Sequence, residues 1–296
     1  MMDNNLINPL TRYHDDDFSK QSQKYPGIQS KMDPLPNGDM RDYEGHNLLT
    51  GRHALITGGD SGIGRAVAIG FAKEGADVAI QYLPEEADDA KEVAKLVEQE
   101  GQKAVLIPAD FRKRGEASRV SEQAIKEFGS LELLVMNSAI QQNSASLADL
   151  SMDQVHDTFE VNIISMYEMV KASVPKMKPG SVILTTTSLQ AFSPTPILLD
   201  YAATKAAIAN FSINLAQELA PKGIRVNSVS PGPVWTPLQV AGGQPTDALE
   251  KFGQEEPLNR AGQPDELAPV YIFLASNMAS YITGQVYGVT GGQSIN

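Results

Sequence analysis

The sequence predicts an α/β protein: one doubly wound parallel sheet of about seven strands, helices on both faces of the sheet, and an extended N-terminal arm. Three observations lead to this class. From Gly51 onward, short runs rich in β-branched residues alternate with longer amphipathic runs. The short runs are apolar on both faces, which is typical of strands buried in a parallel sheet. Their alternation is the pattern of right-handed strand–helix–strand units, which place helices on each side of such a sheet.

The elements follow in a regular order along the chain. The predicted strands are HALITGG, DVAIQYL, KAVLIPAD, LELLVMNSA, GSVILTTTS, IRVNSVSPG and QVYGVTGG. The predicted helices are IGRAVAIGFAKEG, closed by Gly75, then residues 85–101, a helix ending at Phe128, a long helix after Ser151, and one through Tyr201 to Ala220. Ser151 followed by Gln154 fits a capping box, which marks where the long helix begins.

The first fifty residues differ from the rest. They are rich in Asp, Asn, Pro and Gln and show no sustained apolar period. We therefore divide the chain into an arm, residues 1–50, and a domain, residues 51–296. The scattered aromatic residues and prolines of the arm would suit an extended segment lying over a globular surface, including that of a neighbouring subunit. Plain disorder is the alternative. The acidic run Asp15, Asp16 and Asp17 is expected to be a solvated patch.

Composition excludes several classes of function. With 24 Lys and Arg against 36 Asp and Glu, the net charge is -12, which disfavours nucleic acid as a partner because binding to nucleic acid needs clustered positive charge. No apolar run approaches the ~18 residues of a membrane span. Cysteine is absent, which excludes thiol catalysis and fits a reducing cytoplasm. The four histidines never fall at metal-ligand spacing, so we expect no metal site.

A glycine-rich turn follows the first strand. Gly58, Gly62 and Gly64 lie between that strand and the first helix, where a diphosphate can approach the backbone and meet the positive end of the helix dipole. The spacing is GxxxGxG and differs from the common GxGxxG fingerprint. A helix-entry turn without a ligand is the alternative at this point.

A second group of residues carries acid–base chemistry. Ser188 is followed by Tyr201 and then by Lys205, and the last two lie one helical turn apart on the same face. A phenol titrates near pH ~10 and must become more acidic to work near neutral pH. A lysine ammonium ~4 Å away contributes about 4 kcal/mol at an effective dielectric of ~20, which is enough to lower the pKa of the phenol by two to three. We therefore predict that Lys205 lowers the pKa of Tyr201, and that Ser188 bonds the substrate oxygen.

These features resemble the short-chain dehydrogenase/reductase family over nearly all of residues 51–296. The resemblance rests on TGGDSGIG, on Ser188 with YAATK, on Asn162 in VNIISM, and on SPGPVWTPL. It is closest to a bacterial branch with a long N-terminal arm, described as general-stress or glucose/ribitol-dehydrogenase-like oxidoreductases. The resemblance implies a Rossmann-like fold, a homotetramer and four catalytic residues. Tyr201 would be the proton donor or acceptor, Lys205 would also bind the nicotinamide ribose, Ser188 would orient the carbonyl, and Asn162 would hold a water that relays protons to Lys205.

The resemblance also implies where the cofactor binds. The expected contacts are the glycine turn, the ends of the middle strands, and the segment after the sixth strand together with the catalytic pair: Gly58, Asp60, Ser61, Gly62, Ile63 and Gly64; Tyr82, Asp110, Phe111, Asn137, Ser138 and Ala139; Tyr201, Lys205, Pro231, Gly232, Val234 and Thr236. Where the family usually has Asn-Asn-Ala-Gly, this chain has Met-Asn-Ser-Ala, so only Asn137 is retained. Asp110 matches the position that binds the adenine amino group, and a helix-capping or turn aspartate is the alternative.

The sequence leaves open whether the cofactor is NAD or NADP. The second strand ends Gln81-Tyr82-Leu83, which provides neither the acid of an NAD site nor the arginine of an NADP site. Arg65, just inside the helix, could contact a phosphate or be a solvated surface charge. Glu85 and Glu86 would repel a 2′-phosphate if they pointed inward, but they are more often capping charges in the first turn of a helix.

The expected function is hydride transfer between a nicotinamide and a small aldehyde, ketone, sugar or polyol in the cytoplasm. Pocket walls are expected from Gln190, Phe192, Pro194 and a mobile lid over residues 235–255, with glycine hinges. Enoyl reduction is disfavoured because enoyl reductases space their Tyr and Lys more widely than the YxxxK of this chain. The alternative from another class is a nicotinamide-binding stress or regulatory protein with vestigial chemistry.

Overall fold

Seven parallel strands form one sheet, as predicted. The computed structural model describes residues 6–14 and 16–295, so Asp15 of the acidic run lies outside the described residues. The strand order is β3-β2-β1-β4-β5-β6-β7, and every neighbouring pair is parallel. The strands are β1 His53–Thr57, β2 Asp77–Tyr82, β3 Ala104–Pro108, β4 Leu133–Met136, β5 Val182–Thr186, β6 Arg225–Pro231 and β7 Val286–Val289.

Helices cover both faces of the sheet, which confirms the doubly wound architecture. They are α1 Gly62–Lys73, α2 Ala87–Gln99, α3 Glu116–Phe128, α4 Met152–Phe159, α5 Ser165–Ser173, α6 Leu199–Leu219 and α7 Pro264–Ala275. One buried core lies under α1, α2 and α7, and a second lies under α3, α5 and α6. No helix within residues 6–14 and 16–295 is long and apolar enough to cross a membrane.

The helical region after Ser151 differs from the prediction of one uninterrupted helix. A π-helical turn, Glu160–Ile164, separates α4 from α5. The predicted capping box is half formed. The hydroxyl of Ser151 accepts a hydrogen bond from the Gln154 amide at 3.1 Å, but the Gln154 side chain bonds Gln142 and Asp200 instead of returning to Ser151. The side chain is therefore used to connect α4 to α6.

The described part of the arm packs on its own chain. Phe18 stacks on Trp235 with ring centroids 3.9 Å apart, and the indole Nε1 of Trp235 donates to the carbonyl of Pro34 at 2.9 Å. Met32 joins the same small apolar cluster, and Met40 reaches the main core beneath α1 and α7. The arm therefore lies across the segment that follows β6, which the sequence analysis predicts to be a lid.

Candidate active site

A cleft of about 660 Å³ lies at the carboxyl ends of the strands. This is where open α/β sheets hold their ligands. Of the predicted catalytic and cofactor-binding residues, only Gly64 and Asn162 are not part of its wall. The residues that it brings together are Gly58, Asp60, Ser61, Gly62, Ile63, Tyr82, Asp110, Phe111, Asn137, Ser138, Ala139, Ser188, Tyr201, Lys205, Pro231, Gly232, Val234 and Thr236.

The substrate end of this wall corrects one expectation. Gln190 lines the cleft, and so do Ser193 and Thr195, but Phe192 and Pro194 do not; both of these side chains are exposed. Several lid residues, from Pro237 to Gln239, do line it. The sequence therefore located this end of the pocket but assigned two side chains to it that face solvent.

The glycine turn is built around a close backbone approach. A Cβ on Gly64 would lie 1.8 Å from the carbonyl oxygen of Gly58, so α1 can begin beside the turn only if residue 64 has no side chain. Gly58 and Gly62 have φ of +59° and +50°, in the left-handed region that favours glycine. The amide of Gly58 donates to Gln81 Oε1 at 3.0 Å, which ties the turn to β2. Gln81 was not predicted as a site residue.

The catalytic candidates meet at the beginning of α6 and the end of β5. Tyr201, Lys205 and Ser188 are all buried, and the Ser188 hydroxyl, which accepts from the amide of Gln190 at 3.1 Å, is near enough to the phenol of Tyr201 to affect its pKa. Lys205 Nζ lies 5.3 Å from the centroid of the Tyr201 ring and donates to the carbonyl oxygen of Thr186 at 2.8 Å. The helical spacing of four residues therefore places the amine beside the phenol, as predicted.

The predicted lowering of the Tyr201 pKa is wrong for this structure. Burial raises the pKa of Tyr201 to about 12, although the nearby Ser188 hydroxyl opposes the change. Burial lowers the pKa of Lys205 to about 7. A lowered pKa of Tyr201 requires a fully charged lysine beside it, whereas desolvation penalises the charged forms of both Tyr201 and Lys205.

Asn162 lies in the π-helical turn and is fully buried. Its Oδ1 accepts from the amide of Ile140 at 2.8 Å, and its Nδ2 donates to the carbonyl of Ile140 and to Thr204 Oγ1, both at 3.0 Å. The Asn162 side chain thus joins the loop after β4 to Thr204 of α6, which is the residue before Lys205. These bonds engage the side-chain amide with protein groups and position the helix that carries the catalytic pair.

Carboxyl groups are concentrated where β2 meets the glycine turn. Asp60 is 1% exposed, and its Oδ2 has no hydrogen-bond partner. Burial raises the pKa of Asp60 to about 6. The pKa of Glu86 is raised to about 9, chiefly by burial and then by the nearby Asp60. Glu86 Oε2 accepts a hydrogen bond from the Leu83 amide at 2.9 Å, which is the predicted capping role.

The two arginines near this end of the cleft are paired with carboxylates. Arg65 is buried and pairs with Asp39 of the arm at 2.9 Å and with Glu92 at 2.8 Å, so it is neither a solvated surface charge nor free to bind a phosphate. Arg112 makes a bidentate pair with Asp110, which also accepts from the Arg112 amide at 3.0 Å. Asp110 therefore has the contacts of a turn aspartate while it lines the cleft.

The arm supplies cleft residues that the sequence analysis missed. Tyr25, Pro26 and Gly27 belong to the cleft wall. Gln29 Oε1 accepts a hydrogen bond from the amide of Gly62 at 2.7 Å. The scattered aromatic residues and prolines of the arm were the only sign in the sequence that it packs on a globular surface. Nothing in the sequence indicated that the arm contacts the glycine turn.

Comparisons with known proteins agree with this site. The chain matches a family model described as enoyl-(acyl carrier protein) reductase over residues 58–294. It is 54% identical over 295 residues to the uncharacterized oxidoreductase YhxD of Bacillus subtilis, and 99% of each chain is covered. It is 44% identical to general stress protein 39 of the same bacterium, with 94% and 96% covered. It is 42% identical to NADPH-dependent aldehyde reductase 1 of Arabidopsis thaliana, with 94% and 98% covered.

Solved structures show the same architecture with bound dinucleotides. A short chain dehydrogenase from Burkholderia cenocepacia in complex with NADP has a TM-score of 0.77 and 33% identity, covering 83% of this chain and 98% of that one. A 3-ketoacyl-(acyl-carrier-protein) reductase from Brucella melitensis complexed with NADH has a TM-score of 0.74 and 34% identity, covering 82% and 98%.

The fold and its cleft thus define a dinucleotide-dependent oxidoreductase. The chain belongs to the short-chain dehydrogenase/reductase family. The predictions of family, enzyme class and nicotinamide cofactor, NAD or NADP, are confirmed.

Proposed function

We propose that this enzyme transfers a hydride between a nicotinamide and a small carbonyl compound or secondary alcohol, with Tyr201 as the acid/base. The observation that carries the proposal is the burial of Ser188, Tyr201 and Lys205 together in the cleft that begins at the glycine turn. A dinucleotide-binding protein without catalysis needs the glycine turn but has no use for a buried phenol beside a buried amine. Such groups cost stability and are typical of catalytic sites.

The cofactor fits the residues present. Gly58 and Gly62 have backbone conformations that favour glycine, and Gly64 leaves no room for a side chain, so no side chain from these three positions covers the N-terminus of α1. The turn would hold the diphosphate, and Asn137, Ser138 and the segment after β6 would hold the remainder. When bound, the nicotinamide supplies the hydride for reduction or accepts it in oxidation.

Tyr201 and Ser188 act on the substrate oxygen. During reduction the phenol gives its proton to the oxygen of the carbonyl whose carbon receives the hydride, and in oxidation it takes that proton back. Ser188, which lines the cleft beside Tyr201, orients the same oxygen. Each turnover therefore returns Tyr201 to its starting state once its proton has been replaced from solvent.

Lys205 sets how readily the phenol can ionise. With a pKa of about 7, its amine is near half protonation at neutral pH. A protonated Lys205 would favour ionisation of the phenol beside it, because an opposite charge favours the charged form of a titrating group. A proton relay at the π-helical turn would use a backbone oxygen, since the Asn162 side chain is engaged with protein groups.

The substrate class is small aldehydes, ketones or polyols. The wall near Gln190 mixes polar groups with apolar side chains from the lid, among them Leu238. The name of the Arabidopsis relative, an aldehyde reductase, supports a carbonyl substrate for this chain. Enoyl reduction is not proposed, because Tyr201 and Lys205 are four residues apart, whereas enoyl reductases space these two residues more widely.

A substrate panel tests this function. Aldehydes, ketones and polyols are offered with each cofactor to the wild type, to Tyr201→Phe and to Tyr287→Phe, a control on β7 outside the cleft. We expect turnover of at least one compound in the wild type and the control, with a loss of at least about 10³-fold in Tyr201→Phe. Equal activity in all three proteins would refute Tyr201 as the acid/base. No turnover with any compound favours the alternative of a nicotinamide-binding regulatory protein.

We also propose a homotetramer located in the cytoplasm. Two separate regions expose large apolar side chains: Ile164, Tyr167 and Ile213 around α5 and α6, and Met278 and Tyr281 after α7. Two self-complementary interfaces are what a tetramer with D2 symmetry needs. Light scattering should give four times the chain mass of 31.9 kDa, and Tyr281→Ser should reduce it to a dimer. Fractionation of the producing cell tests the location.

A further inference from the structure

The feature that carries a further inference is the end of the cleft between the glycine turn and β2. Nicotinamide sites distinguish NAD from NADP here, where an acid accepts from the ribose diol or an arginine binds the 2′-phosphate. Asp60, Tyr82, Leu83 and Glu86 all line this end. Solved relatives hold either NADP or NADH, and the Arabidopsis aldehyde reductase is named as NADPH-dependent, so family membership does not assign NAD to this chain.

We propose that this enzyme selects the unphosphorylated dinucleotide, NAD(H), because Asp60 takes the adenosine ribose diol and Gln29 of the arm closes the space that a 2′-phosphate needs. The inference rests on the proposed binding of a nicotinamide cofactor in this cleft. It extends that proposal by naming which of the two cofactors is used and which residues decide.

Asp60 has the property that a hydroxyl ligand requires. It lies in the glycine turn, it is almost fully buried, and its Oδ2 accepts no hydrogen bond. A buried acceptor without a donor is costly, so a donor supplied by a ligand would be favoured. A ribose hydroxyl can donate to this oxygen. A phosphate dianion cannot donate, and it would place like charge beside a desolvated carboxylate.

The cleft wall offers no cation to offset that repulsion. Within residues 6–14 and 16–295, the basic side chains of the wall are Lys205 and Lys251. Lys205 lies beside Tyr201, and Lys251 bonds both carboxylate oxygens of Asp17 at 2.7 Å. The nearby Arg65 and Arg112 hold carboxylate partners of their own.

The arm adds a steric barrier. Gln29 lies behind the cleft wall and bridges the beginning of α1 to α2, since its Oε1 accepts from the Gly62 amide and its own amide donates to Asp89 Oδ2, both at 2.7 Å. Gln29 is buried, and Tyr25 to Gly27 continue along the cleft wall. A 2′-phosphate at this position would have to displace Gln29 from two hydrogen bonds and would then meet the carboxyl groups of Asp60 and Asp89.

Nucleotide binding to the full chain tests the inference without any substrate. The dissociation constants of NADH and NADPH are measured by fluorescence at pH 7.5 and low salt for the wild type, for the near-isosteric Asp60→Asn, for Gln29→Ala, and for the exposed control Glu85→Gln. Because the two ligands are compared on the same protein, partial unfolding of a variant cancels in the ratio of the two constants.

We expect the wild type and Glu85→Gln to bind NADH at least about 30-fold more tightly than NADPH, with the ratio about tenfold smaller in Asp60→Asn and also reduced in Gln29→Ala. Equal or tighter binding of NADPH by the wild type overturns the inference and leaves the proposed oxidoreductase function standing. A ratio unchanged in both Asp60→Asn and Gln29→Ala overturns the assignment to these residues. Binding of neither nucleotide overturns the proposed function as well.

Discussion

Replacing Lys205 by methionine should stabilise the protein while it abolishes turnover. Lys205 is 2% exposed, and burial lowers its pKa from 10.5 to about 7. The unfolded chain therefore holds a proton between pH 7 and 10.5 that the folded chain has lost, so wild-type stability rises with pH across that window. Below pH 7 the full penalty applies, about 5 kcal/mol at 1.4 kcal/mol per pKa unit.

Methionine has a similar volume and removes this penalty, but it also removes the hydrogen bond from Nζ to Thr186. An acceptor left unsatisfied costs about 1–3 kcal/mol. The net gain in unfolding free energy at pH 6 is therefore about 2–4 kcal/mol. It should shrink by about 3 kcal/mol at pH 9, because the folded amine is neutral there and the penalty falls to the cost of losing its proton at that pH, about 2 kcal/mol.

Urea unfolding followed by circular dichroism at pH 6 and pH 9 measures both quantities. The same substitution at the exposed Lys171 of α5 is the control, and it should change little at either pH. A Lys205→Met protein that is less stable than the wild type at pH 6, or that differs from it equally at both pH values, would show that burial does not penalise the charged form of the Lys205 amine.

Three further changes test other parts of the structure. Burial raises the pKa of Glu86 from 4.5 to about 9. Between pH 4.5 and 9 the folded chain therefore keeps a proton that the unfolded chain has lost, and the stability of the wild type falls as the pH rises through this range. The unfolding free energy of Glu86→Gln, measured by urea titration, should therefore rise relative to that of the wild type from pH 5 to 9, by at most about 1.4 kcal/mol per pH unit. A difference between the two proteins that does not change with pH contradicts this. Gly64→Ala places a Cβ 1.8 Å from the Gly58 oxygen, so it should lower the melting temperature and abolish the shift produced by NADH; an unchanged shift would mean that the turn does not hold the cofactor. Phe18→Ala removes the stack on Trp235, so the arm should be cut by trypsin about tenfold faster, and an unchanged rate would show that this contact does not hold the arm.

Local patterns were sufficient to predict most of the sheet. β-branched runs separated by amphipathic runs identified all seven strands, because strands in a parallel sheet are apolar on both faces. The helix α7 was not predicted. Its first residue, Pro264, suits a helix start, but Pro269 interrupts the middle of the run, where a missing amide normally disfavours a helix. Packing of α7 against α1 supplies what the local sequence does not.

The catalytic pair was predictable because its chemistry depends on a short spacing. Tyr201 and Lys205 are four residues apart, so a helix alone brings them together. The direction of the Tyr201 pKa was not predictable, because it depends on how deeply the whole fold buries both groups. The contributions of the arm were hidden for a related reason: contacts such as Pro34 with Trp235 and Gln29 with Gly62 join distant parts of the chain that no local pattern connects.

The most direct test of the central claim separates cofactor binding from chemistry in Tyr201→Phe. NADH affinity is measured by fluorescence, and a single turnover with a substrate found in the panel is followed through the loss of nicotinamide absorbance. The phenol hydroxyl is assigned to proton transfer, so affinity should stay within about threefold of the wild type while the single-turnover rate falls at least about 10³-fold. A rate near that of the wild type with unchanged affinity would contradict the assignment of Tyr201 as the acid/base.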